Sequence, residues 1–137
     1  SLTKIGSEAF AHCSSLAQIE IPSSVSKIGS YAFWHCENLT KITIPSITMI
    51  NESTFDGCNS LIDILLPSSI IDIGKYAFND CSSLAQISIP SSVKKIHRNA
   101  FKNCTGLKEI SIPSSIKKIN LIKHIGIDKK KTKVKKF

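Results

Sequence analysis

The stretch LAQIEIPSSV, from Leu16 to Val25, returns as LAQISIPSSV from Leu84 to Val93, 68 residues later. That separation is close to three steps of 23, and the rest of the chain fills in the steps. Isoleucines open successive units at Ile5, Ile28, Ile50, Ile73, Ile96 and Ile119, with steps of 23, 22, 23, 23 and 23. Behind them run Phe10, Phe33, Phe55, Phe78 and Phe101, then Cys13, Cys36, Cys58, Cys81 and Cys104, then Leu16, Leu39, Leu61, Leu84 and Leu107. Each unit closes with Pro22, Pro45, Pro67, Pro90 or Pro113, so all five cysteines and all five prolines fall on the repeat. Self-similarity of this period is the mark of a solenoid.

One unit reads I-G-x-x-A-F-x-x-C-x-x-L-x-x-I-x-I-P-S-S-V-x-x. Ile19 and Ile21 alternate with Gln18 and Glu20, a period of two that predicts a half-buried strand. Proline ends the strand because it has no N–H to donate, and the serines after it turn the chain. V-x-x-I predicts a second short extended segment, and G-x-x-A-F suits one helical turn, too short to stand alone. A single unit cannot bury its apolar side. Parallel stacking at about 4.8 Å solves this, with each large apolar side chain contributing about 1.5–3 kcal/mol when buried.

The A-F-x-x-C, L-x-x-I-x-I-P and V-x-x-I wording resembles the BspA-like, treponemal-type leucine-rich repeat over about residues 2–119. The resemblance implies an α/β to mostly β fold: a right-handed leucine-rich-repeat horseshoe. Its parallel sheet would be concave, with second short extended segments and single helical turns on the convex side. It also implies a cell-surface or secreted protein, a class in which several members adhere to host matrix proteins. The cytoplasm stays open, because the cysteines look reduced and no signal peptide is visible.

Residues 1–119 are expected to form five repeats, 120–127 a degenerate last repeat or cap, and 128–137 a basic disordered tail. Ser1 and Leu2 match the end of a unit, so the array is expected to continue N-terminally. The charge supports this division. Residues 1–116 hold nine Lys/Arg and nine Asp/Glu, whereas 117–137 hold nine Lys and one Asp. At 42% apolar and 20% charged, the composition fits a folded domain.

Chemistry has little foothold. Thiols 22–23 residues apart do not match metal-ligand spacing, and an odd count in a column gives no unique disulfide pairing. They read as buried, reduced core thiols. His12 and His35 share a repeat position and stack at the surface, but the next unit has Gly57 there. Tyr31 and Trp34 could form an exposed spot beside His35. The serines are turn residues, and no phosphate-binding glycine loop is present. The reading is a non-enzymatic module without cofactor or small-molecule substrate, binding a protein partner for interaction or adhesion.

The candidate concave face is two ladders. Gln18, Lys41, Asp63, Gln86 and Glu109 form one, and Glu20, Thr43, Leu65, Ser88 and Ser111 the other. Leu65, with Ile62 close by, is its apolar anomaly. Ile71 also breaks a mostly polar column, and Asn51 and Thr54 replace the usual Gly and Ala. The alternative is a tether, in which Lys129, Lys130, Lys131, Lys133, Lys135 and Lys136 attract an anionic membrane or nucleic acid.

Overall fold

The structure is a computed structural model that describes residues 1–116 and 121–137. Ile119 and the boundary expected there lie outside the described residues. The chain winds as a solenoid of parallel strands. On one side lie β2 (Gln18–Glu20), β4 (Lys41–Thr43), β7 (Gln86–Ser88), β9 (Glu109–Ile112) and β10 (Lys133–Lys136). On the other lie β1 (Lys4–Ile5), β3 (Lys27–Ile28), β5 (Met49–Ile50), β6 (Asp72–Ile73) and β8 (Lys95–Ile96). A short helix, α1 (Leu121–His124), lies in the last coil.

Between the two sides run the apolar columns. Phe33, Phe55, Phe78 and Phe101 are buried, and successive Phe rings from Phe10 onward stack with centroids 5.2, 5.6, 5.5 and 5.3 Å apart. The cysteines are free, and their column is hydrogen-bonded. Cys36, Cys58, Cys81 and Cys104 donate S–H to the carbonyls of Phe10, Phe33, Phe55 and Phe78 at 3.1, 3.2, 3.2 and 3.0 Å. A small apolar residue with a weak donor suits that place. Burial pushes the Cys36 thiol up to about 11 and the Cys104 thiol to about 12, and raises Cys58 and Cys81 further.

The segment suggested as one helical turn is realised as successive four-residue, i→i+3 turns. In the second unit Trp34, Cys36 and Leu39 donate back to Tyr31, Phe33 and Cys36. The alternate amides of Tyr31, Phe33 and His35 donate instead to Glu52, Thr54 and Asp56 of the next coil. This alternation needs two left-handed residues per unit: Glu8 and His12, Tyr31 and His35, Ser53 and Gly57, Tyr76 and Asp80, Asn99 and Asn103. Left-handed backbone costs non-glycine residues about 1–2 kcal/mol each, and the turn ladder offsets that cost.

The stretch 128–137, expected as a disordered tail with too little apolar content to pack, instead carries β10. It pairs with β9 in the register Lys133↔Glu109, Val134↔Ile110, Lys135↔Ser111 and Lys136↔Ile112. Val134 packs on the core and Thr132 is buried, donating its hydroxyl to the Leu107 carbonyl at 2.7 Å. The reason is spacing. Val134 stands 24 residues after Ile110, so K-V-K carries the polar–apolar alternation of a strand into the next coil. Leu121, Ile122, Ile125 and Ile127 are buried beneath it. Among the described residues, no helix is long and apolar enough to cross a membrane.

Candidate protein-binding face

The candidate ladders sit where the strand alternation puts them. Gln18 pairs with Lys41 and Glu20 with Thr43, while Gln86 pairs with Glu109 and Ser88 with Ser111. Gln18, Glu20, Lys41, Thr43, Ile62, Asp63, Leu65, Gln86 and Ser88 are exposed. Glu109 and Ser111 are half-covered by β10.

The ladders are not continuous. Asp63 and Leu65 lie on a segment that is no strand, and the sheet is split into β2–β4 and β7–β9–β10. Among the described residues, Asp63–Leu66 neither donate nor accept a backbone hydrogen bond; Ala85 reaches only the Ile62 carbonyl, at 3.3 Å. On the opposite side, β3 pairs with β1 and β5 with β6, but β3 and β5 do not pair with each other.

The connection that precedes the gap also departs from the repeat. Other units turn through Pro-Ser-Ser with an i→i+3 bond, such as Val25 to Pro22 at 3.0 Å. Pro45-Ser46-Ile47 is one residue short, and Ile47 donates to Pro45 itself at 2.7 Å, an i→i+2 turn. The shortened link falls just before the place where β3 and β5 fail to pair. The turn ladder still crosses this junction, and the third unit's two departures now find their use. Asn51 Nδ2 donates to the Ile28 carbonyl at 2.6 Å, and Thr54 Oγ1 lies 3.5 Å from the Gly29 carbonyl.

Where the ladder opens, a groove of about 740 Å³ runs between residues 40–44 and 62–68. Water can enter it to satisfy the unpaired backbone groups, as buried ones would demand a partner. On its rim Leu65 is 85% exposed and Ile62 57% exposed. Further shallow depressions run along the same face, through Gln18 and Thr43 on one side and Gln86 and Ser111 on the other.

The lysines divide. Lys133, Lys135 and Lys136 belong to β10, and Lys133 and Lys135 extend the two ladders by one rung. Lys135 Nζ lies 3.0 Å from Glu109 Oε1. Lys129, Lys130 and Lys131 lie in the exposed turn before the strand. Sequence reasoning missed that the first group forms part of the face. The signal was K-V-K with Val134 in the apolar place, hidden because the unit is one residue longer than 23.

Elsewhere, His12 and His35 stack with centroids 5.4 Å apart and planes 2° from parallel, and Trp34 packs edge-on against both. Gly57 ends the column because a Cβ there would lie 2.7 Å from His35 Nδ1. Among the described residues, no group of three or more His, Cys, Asp or Glu is placed to hold a metal.

A solenoid of such coils, with a parallel strand face and a Phe-Cys core, defines a leucine-rich repeat protein. The chain belongs to the BspA-type leucine-rich repeat family, whose pattern matches residues 2–122 in six copies. It is similar to the crystal structure of the T. pallidum leucine-rich repeat protein (TM-score 0.79, 36% identity, 81% of this chain and 52% of that one). It is also similar to a leucine-rich cell surface protein from Faecalibacterium prausnitzii (0.78, 41%, 93% and 33%). A third likeness is to a leucine-rich repeat protein from Bacteroides ovatus (0.75, 34%, 82% and 35%). The chain therefore spans about half the length of the first and about a third of the others. No curated protein matches it significantly. Repeats of this class are typically protein-interaction modules and generally non-enzymatic scaffolds.

Proposed function

We propose that the chain is a non-enzymatic module that binds a protein partner on its first-strand face, over the third unit, in a cell-surface protein that adheres to other proteins. The observation that carries this reading is the open groove beside Leu65 and Ile62. It is an apolar spot on an otherwise polar face, rimmed by Lys41 and Asp63. Apolar centres with polar rims are the usual anatomy of protein contacts. The surface setting draws support from the likeness to the F. prausnitzii cell surface protein. The alternative is the tether: all six tail lysines are exposed, three of them held in β10, and a run of exposed lysines attracts an anionic membrane or nucleic acid.

The test places a photo-crosslinking side chain at Leu65 or, on the exposed turn side, at Glu37, and illuminates each with a mixture of extracellular matrix proteins. Protein adducts are expected from Leu65 only, and competition by the unmodified chain should suppress them where competition by Leu65→Asp does not. Adducts formed equally from both positions would contradict the reading.

A further inference from the structure

Within that reading, the face also indicates the chemistry of its partner. We infer that the partner presents an extended acidic segment, with an apolar side chain over Leu65 and carboxylates over the lysines of β10.

The column that starts at Glu20 carries no further acid along Thr43, Leu65, Ser88, Ser111 and Lys135. Glu109 of the neighbouring column and Lys135 engage each other at 3.0 Å, which leaves Asp63 as the acid and Lys41 and Lys133 as the bases without an ion pair among the described residues in that column. Lys133 and Lys136 are exposed and likewise without an ion pair among the described residues. From Leu65 to Lys135 is three coils, the last two at the paired spacing of about 4.8 Å and the first across the opened ladder, so about 14 Å or somewhat more. An extended chain covers that in about four residues. The ligand thus carries an apolar residue and, four positions on, the first of a run of acids, with Ser88 and Ser111 beneath the residues between. Because strand pairing already holds Lys133 and Lys135, docking them costs less ordering than a free tail would.

The same observations favour a polypeptide over other polyanions. Asp63 and Glu20 stand on the face and repel a continuous run of phosphates or an anionic membrane. No aromatic side chain stands in either ladder to stack a base.

The test uses the full chain and a labelled peptide, Gly-Leu-Ser-Thr-Ser-Glu-Glu-Glu, read by fluorescence anisotropy. Its versions with Gln for every Glu, and with Ser for Leu, are the controls. The acidic peptide should bind at least about tenfold tighter than the Gln version at low salt and lose that advantage at high salt. Lys133→Glu with Lys135→Glu should erase the advantage. Lys133→Gln with Lys135→Gln, which adds no repulsion at Glu109, should reduce it without loosening β10. Leu65→Asp should weaken the acidic peptide to the level of the Ser version. Equal binding of the Glu and Gln peptides, both lost in Leu65→Asp, would overturn the acidic partner while leaving the docking face intact. Failure of the acidic peptide to bind better than its controls would also overturn it. So would phosphatidylserine vesicles or poly-U RNA binding more tightly than the peptide and unaffected by Leu65→Asp.

Discussion

Units three and six depart from the repeat in opposite ways. The strand segment of unit three, Ile62-Asp63-Ile64-Leu65-Leu66, is the most apolar of its kind, yet it pairs with neither neighbour. The strand of unit six, Lys133-Val134-Lys135-Lys136, holds three like charges and one apolar residue, yet it pairs along its whole length. Its coil keeps a histidine where phenylalanine belongs, and Ile127 where cysteine belongs. The difference lies in the connections. Unit three follows a link one residue short, at Ser46, whereas unit six runs one residue long. Composition decides which residues are buried, and register decides which strands pair.

The largest test of this contrast concerns what holds the first junction together. With both strand ladders open there, Phe33–Phe55 stacking, the turn ladder and the Asn51 and Thr54 bonds remain. Phe55→Ala should cost about 3–5 kcal/mol and split thermal unfolding into two steps. Phe101→Ala, at a junction whose strands pair, should lower the midpoint in a single step. Next in size is repair. A second serine inserted after Ser46 should restore the i→i+3 turn and several strand bonds, raising stability by about 1–3 kcal/mol in denaturant titration. The same insertion should close the groove and weaken any partner at Leu65.

Alkaline pH probes the thiols that bridge the early junctions and are replaced by Ile127 at the last. Burial raises Cys58 and Cys81 above the ordinary value of 9.0. Above about pH 9 the unfolded chain releases thiol protons that the folded chain keeps, so stability is flat below that pH and falls above it. The slope should approach about 1.4 kcal/mol per pH unit per thiol and should be smaller in Cys58→Ala and Cys81→Ala. Smallest of all, Lys135→Ala removes a partly exposed ion pair and should change stability by no more than about 0.5 kcal/mol. Paired strands do not depend on that bridge.

Much of the fold is legible because the period is written in residues with one use each. The isoleucine, phenylalanine, cysteine and leucine columns are core columns, and the prolines sit where strands end. The exposure of Leu65 follows from strand alternation alone. The groove is harder to read, because a missing serine is a small mark and its consequence appears a dozen residues later. β10 is hidden by its charge, since a lysine run resembles a solvated end until Val134 is counted against Ile110. The left-handed pairs escape notice because Tyr31, Tyr76 and His12 are poor advertisements for such backbone; only Asn99, Asn103, Gly57 and Asp80 hint at it.

Amide hydrogen exchange, residue by residue, addresses the role of register most directly. The amides of Asp63–Leu66 have no backbone partner among the described residues, whereas Lys133 donates to Lys108 at 2.8 Å. Exchange at Asp63–Leu66 should therefore be fast, and exchange at Lys133 and through β10 slower, although unit three is the more apolar. Protection of Asp63–Leu66 equal to that of Gln86–Ser88, with β10 exchanging like a free peptide, would contradict it.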